Sequence, residues 1–120
     1  MDEQELPLVA GTTFDFSLKW EAESDTGGLQ PVNITGCSIA LQVRNAANEL
    51  LLDCNSAAGE ITSPEPANGQ IFVHIAPMKT AGKTFDAWAD ARWELRVTFP
   101  SGDAYSLVRG WSTLSVGAVQ

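Results

Sequence analysis

Apolar and polar residues alternate with a period of two along most of the chain, and runs with helical spacing are short. Residues 13–20, "TFDFSLKW", place Phe14, Phe16, Leu18 and Trp20 on one parity and Asp15, Ser17 and Lys19 on the other. That is the pattern of a half-buried strand. In "VNITGCSIALQVRN", Cys37, Ile39, Leu41 and Val43 share one face, and Ser38, Ala40, Gln42 and Arg44 share the other. The link "NAAN" suits a four-residue hairpin loop, so "ELLLDC" should fold back on the preceding strand. With Arg44 opposite Glu49, that register sets Leu50, Leu52 and Cys54 against Val43, Leu41 and Ile39.

Further strands follow the same logic. A brief one is expected near Ile61, and "NG" at 68–69 signals a turn before "QIFVHIA". In that strand Ile71, Val73 and Ile75 point inward, which sends His74 to solvent. "PMKTAGKTFDAWADAR" is the irregular stretch: Phe85 and Trp88 are three apart, so one short helical turn is expected within 78–90. Next, Trp93, Leu95, Val97 and Phe99 alternate with Arg92, Glu94, Arg96 and Thr98. "FPSGD" reads as a type I turn with Gly102 left-handed, pairing Phe99 with Asp103, Val97 with Tyr105 and Leu95 with Leu107. The last strand has a conflict of parity, since Tyr105 and Leu107 are odd while Leu114 and Val116 are even. A bulge at Gly110 would resolve it.

Seven to eight short strands joined by turns predict an all-β chain: a single antiparallel β-sandwich of immunoglobulin-like type. The Cys…Trp…Cys spacing of true immunoglobulin domains is missing. One domain is expected over residues 1–120, with 1–11 a flexible segment or contact arm ahead of the first clear strand.

Charge sharpens the picture. The net charge is −8, and Asp2, Glu3, Glu5, Asp15, Glu21, Glu23 and Asp25 face only Lys19 in the first 25 residues, so −6 of it lies there. With no run of Lys or Arg, binding to nucleic acid or anionic membrane is disfavoured. No apolar run reaches the roughly 18 residues of a membrane span. "MDEQELPLVAG" is acidic where a signal peptide would be basic, so folding in the cytoplasm of the producing cell is expected. Cys37 and Cys54 are too few for a disulfide scaffold, and both fall on the apolar face as buried, reduced thiols. "NIT" at 33–35 matches a glycosylation pattern by chance in that setting.

The residues offer no catalytic set. One histidine cannot complete a zinc site with the two cysteines, no GxSxG or P-loop is present, and "EAESD" lacks the ligand order of a calcium loop. Asp86 and Asp90 lie four apart and read as solvated surface. Enzymatic activity, catalytic residues, metal ligands and cofactors are therefore not expected. Phe72, Trp88 and Trp111 would make a sugar-stacking platform only if the fold brought them together. Trp93 belongs to the core, while Trp88 and Trp111 are candidates for edge positions.

"VNITGCSIALQVRN", "NGQIFVHIAPMKTAG" and the closing "ARWELRVTFPSGDAYSLVRGWSTLSV" together resemble small β-sandwich proteins encoded among tailed-phage virion genes. The resemblance runs from about Leu8 to Val116. It departs in having Glu94 where the family pattern has Asp, and a longer segment, "KTFDAWADA", before that strand. The resemblance implies a non-enzymatic structural component of a tailed-phage virion, associated with tail, baseplate or neck and acting by protein–protein contacts. Its partners would be other virion proteins and further copies of itself, and its location the virion, after synthesis in the host bacterial cytoplasm. The alternatives are a phage-borne or bacterial carbohydrate- or receptor-binding module, and a capsid accessory (decoration) protein.

Overall fold

In the computed structural model, which describes residues 3–25 and 27–118, the chain forms ten strands where seven to eight are expected from the pattern, because the polar stretch after Trp20 folds as a short hairpin rather than an open loop and the N-terminal segment adds a strand of its own. They are β1 (Gln4–Val9), β2 (Phe14–Lys19), β3 (Glu21–Glu23), β4 (Leu29–Pro31), β5 (Ser38–Arg44), β6 (Leu50–Asn55), β7 (Ile61–Thr62), β8 (Gln70–Ile75), β9 (Ala91–Thr98) and β10 (Ala104–Ser115). The main sheet has the order β1-β10-β9-β5-β6, the second β2-β8-β7, and β3-β4 is a separate hairpin. Single 3-10 turns at Pro77–Lys79 and Asp86–Trp88 occupy the irregular stretch, where one helical turn is expected from the spacing.

The two larger sheets pack face to face as a sandwich. Ile39, Leu41, Val43, Leu52, Cys54, Trp93, Leu95 and Val97 from the main sheet meet Ile61, Ile71, Val73 and Ile75 from the second. Each fully buried aliphatic side chain contributes about 1.5–3 kcal/mol relative to an exposed one. The connectivity is that of an immunoglobulin-like sandwich. β10, β9, β5 and β6 form its one sheet, β2, β8 and β7 its other, and the first strand crosses to pair with the last. Where immunoglobulin domains staple the sheets with a disulfide, Phe16 of β2 meets Trp93 of β9 edge to face, with centroids 6.0 Å apart. Trp20, Phe99 and Tyr105 close one end, with ring centroids 5.5–5.9 Å apart.

Four further expectations are corrected. First, the sandwich is not wholly antiparallel, because β1 pairs parallel to β10, Gln4 opposite Gly110 through Val9 opposite Ser115. Residues 4–9 are therefore a strand of the main sheet with Leu6 and Leu8 buried, not a loose arm; Met1 and Asp2 lie outside the described residues. Second, the bulge in β10 falls at Leu107, since Ser106 pairs with Arg96 and Val108 with Leu95. Leu107 and Val108 thus share one partner residue, and both pack on the core, which is how a bulge reconciles an odd and an even apolar face.

Gly110 serves a different purpose. A Cβ there would overlap the Gln4 backbone, so glycine is what lets β1 approach. Third, a register shift between Val43 and Arg44 sets Arg44 against Leu50, Val43 against Leu52 and Leu41 against Cys54, with Leu51 as the extra residue. Fourth, Trp88 is no edge residue. It is 3% exposed, close to the 5% of Trp93, whereas Trp111 is 43% exposed. Both buried indoles hold β1. Trp93 Nε1–H donates to the Gln4 carbonyl at 2.9 Å. Trp88 Nε1–H donates to Ser112 Oγ at 3.0 Å, and that hydroxyl donates to the Leu6 carbonyl at 2.9 Å.

The turn at "FPSGD" closes with Phe99 paired to Asp103, as the pattern predicts, the Phe99 N–H donating to the Asp103 carbonyl at 2.8 Å and Gly102 left-handed at φ +97°.

Chemical denaturation should rank these positions. Trp93→Ala and Trp88→Ala should each cost about 3–5 kcal/mol as buried aromatic truncations. Trp111→Ala should cost about 0.5 kcal/mol or less. Gly110→Ala should cost about 1–3 kcal/mol and speed hydrogen exchange in β1 above all. Equal losses for the three tryptophans would contradict this packing.

Candidate functional site

β-Pairing gathers residues that are scattered in the sequence. The side chains of β9 that point away from the core are Arg92, Glu94, Arg96 and Thr98, those of β5 are Ser38, Ala40, Gln42 and Arg44, and the bulge turns Arg109 and Trp111 of β10 the same way. The outer face of the main sheet can be written as rows. Glu5, Trp111, Arg92, Arg44 and Leu50 form one, Arg109, Glu94, Gln42 and Asp53 the next, and Ser106, Arg96, Ala40 and Asn55 a third. All four arginines of the chain lie on this face. The sequence has no basic run, yet the fold builds a basic cluster on a chain of net charge −8.

Acids and neutral acceptors hold three of the four guanidinium groups in place. Arg96 donates to Glu94 at 2.7 Å, Arg44 donates to Gln42 Oε1 at 3.1 Å and to the Asn48 carbonyl at 3.0 Å, and Arg92 pairs with Glu3. Arg109, beside Glu94 on the next strand, makes no ion pair among the described residues. Small Ala40 leaves a shallow dish of about 310 Å³ walled by Gln42, Arg44, Glu94 and Arg96. Trp111 stands in the row beside Arg92. Such a surface offers planar donors and an apolar ring.

The outer face of the second sheet carries the chain's histidine. His74 is exposed, as its parity requires, and its Nδ1 lies 2.6 Å from Asp15 Oδ1 on the facing strand. Among the described residues no hydroxyl or thiol is hydrogen-bonded to the other ring nitrogen. It flanks a cleft with Phe72 and Glu60. Phe72 is on this sheet, Trp88 is buried and Trp111 is on the opposite face, so the fold does not assemble the three-aromatic platform. Asp86 stands in the 3-10 turn and Asp90 just before β9, and both are exposed.

Cys37 and Cys54 are free thiols, Cys54 fully buried and Cys37 partly so. Burial, reinforced by the nearby Glu60 carboxylate, pushes the Cys54 thiol up to about 12, and burial raises Cys37 as well. Beside Cys54, the Lys79 ammonium lies 2.8 Å from Glu60 and donates to the Asp53 carbonyl at 2.8 Å. The Asn55 N–H donates to the same carboxylate at 3.3 Å. Burial works to raise Glu60, but the bonds from Lys79 and Asn55 outweigh it and hold the carboxyl below its ordinary range. The bond to Glu60 raises Lys79. This cluster closes the outer edge of β6. Among the described residues, no group of three or more His, Cys, Asp or Glu side chains could hold a metal ion.

Two measurements check these assignments. At neutral pH a thiol reagent should modify Cys54 only as fast as the protein unfolds, with Cys37 reacting sooner. Glu60→Gln should cost about 1–3 kcal/mol at pH 7, the range for a bond to a charged group. A carboxyl held low in the folded state stabilises it fully above the unfolded pKa and loses that contribution as pH falls through the folded one. The stability gap between wild type and Glu60→Gln should therefore close in the acid range, and a gap that persists there would rule out the charged pair.

No protein-family model matches the chain, and no curated protein does. Among solved structures, the chain is similar to an immunoglobulin domain in the crystal structure of the ZIG-8–RIG-5 IG1–IG1 heterodimer, at 9% identity and a TM-score of 0.40, over 94% of this chain and 82% of that one. The fold assignment rests on the strand order and register described above.

Proposed function

We propose that this chain is a non-enzymatic binding module that works by protein–protein contact through the outer face of its main sheet, as a structural component of a tailed-phage virion. The observation that carries the contact role is the gathering of Arg44, Arg92, Arg96 and Arg109 on one face, beside a half-exposed Trp111, in a chain that is acidic overall. Arginine and tryptophan are enriched in the energetically dominant centres of protein interfaces. The alternation of arginines with Glu94 and Asp53 suits a mixed-charge protein surface better than a uniformly anionic phosphate backbone. The virion role, with tail, baseplate or neck as its setting, rests on the sequence resemblance. A rigid sandwich repeated around a symmetry axis would gain avidity from many modest contacts of this kind.

Arg96 and Arg109 are the residues to change, since both are surface groups outside the core. In particles purified from a lysate, mass spectrometry should detect the wild-type chain in fixed proportion to the other virion proteins. The Arg96→Glu/Arg109→Glu double variant should fold normally and be depleted from particles by about tenfold or more, the loss of at least about 1.4 kcal/mol at an interface. Absence of wild-type protein from intact particles would overturn the virion role. Incorporation of the double variant at the wild-type level would overturn the arginine face as the contact surface.

A further inference from the structure

The sandwich leaves four strand edges, β1 and β6 in the main sheet and β2 and β7 in the second. Three are blunted in ways that discourage pairing. β1 contains Pro7, which has no N–H to offer. Along β6, Lys79 occupies the Asp53 carbonyl and Glu60 takes the Asn55 N–H. β7 is two residues long. β2 differs from all of them: it has six residues, no proline, no bulge and one neighbour, β8.

The backbone of β2 is oriented for a further strand. Trp20 N–H donates to the Gly69 carbonyl at 2.9 Å, which fixes the alternation of the ladder. Even-numbered residues turn their N–H and C=O toward β8, so those of Asp15, Ser17 and Lys19 face the open side. On the core side of the same edge, Phe14, Phe16 and Leu18 are only half-buried, while Ile71, Val73 and Ile75 of β8 are fully covered. With Leu6, Trp93 and Val108 they line an apolar slot of about 250 Å³ between β2 and β1.

We infer that β2 pairs with β2 of a second copy of this chain, antiparallel about a twofold axis at Ser17. In that register Asp15 stands opposite Lys19 of the other copy, and by symmetry Lys19 stands opposite its Asp15. Both side chains are well exposed, with Asp15 2.6 Å from His74 and Lys19 3.9 Å from Glu21 within their own chain, so the cross-copy pairs would add to these contacts at the same surface. Phe16 then faces the second copy's Leu18 over the slot, and the outward backbone groups of Asp15, Ser17 and Lys19 meet those of Lys19, Ser17 and Asp15 of the second copy. Shifting the axis to Phe16 keeps the apolar match but sets Asp15 against Ser17, losing both ion pairs. The self-matching charge pattern is what selects a second copy of the chain as occupant. The contact is isologous and closes on itself as a dimer. It leaves the arginine face free.

Sedimentation velocity on the purified chain tests this. Wild type should dimerise reversibly with concentration. Ser17→Pro removes an N–H that faces the open edge and no bond to β8, so it should give a monomer with an unchanged melting temperature. Lys19→Asp places like charges opposite each other twice and should raise the dimer dissociation constant by about tenfold or more. Adding Asp15→Lys to Lys19→Asp restores opposite charges and should return the constant to near the wild-type value. A wild-type chain that stays monomeric at all accessible concentrations would overturn the pairing. So would a folded Ser17→Pro variant that dimerises normally, or a double exchange that fails to restore what the single exchange lost.

Discussion

The bulge at Leu107 is the constraint on which the rest of the molecule depends. Before it, β10 turns Tyr105 toward the aromatic cluster at the end of the sandwich; after it, the parity has changed, and Gly110, Ser112 and Leu114 face inward. The shift has consequences on both sides of the sheet. Inward, it brings Gly110 to the place where β1 needs room, and Ser112 to where it relays a hydrogen bond from Trp88 to the Leu6 carbonyl. Outward, it delivers Arg109 and Trp111 to the face that already holds Arg92, Arg96 and Arg44. Without the extra residue, the second half of β10 would present its polar side chains to the core and its apolar ones to water.

Docking of β1 explains why large aromatic side chains collect near the end of the chain. A parallel strand at a sheet edge is bonded on one side only, and here its other supports are the indoles of Trp93 and Trp88 beneath it. The tryptophans thus combine apolar burial with a polar tip that satisfies backbone carbonyls. This arrangement also moves the first strand out of the second sheet, which leaves β2 without a neighbour on one side. The anchored N-terminal strand and the open β2 edge are two results of one choice of partner.

Much of this was legible in the sequence, because period-two alternation reports directly which side chains face a core. The faces of β5, β8 and β9 follow from it, as do the outward His74, the inward Trp93 and the turn at Gly102. Pairing was less legible, since it depends on contacts between distant segments. Nothing local to "QELPLV" says that it will lie parallel to β10, and Pro7 and its acidic neighbours argue against a strand. The parity conflict signals a bulge but not its position, because a glycine that serves close approach, as Gly110 does, looks in the sequence like one that serves a bulge. The same limit hid the arginine face. Arg44 and Arg92 are visibly outward on their own strands, yet only the β5–β9 register makes them neighbours, and Arg109 cannot be assigned a side until the bulge is located.

The register of β9 with β10 is therefore the point to measure. In an NMR study of the isotopically labelled chain, cross-strand nuclear Overhauser effects should connect Val108 with Leu95, Arg109 with Glu94 and Gly110 with Trp93, and Gly110 should also contact Gln4. Contacts joining Leu107 with Leu95 and Arg109 with Trp93, in an unbroken ladder, would contradict the account. They would turn Arg109 and Trp111 inward and remove both the seat of β1 and the arginine face.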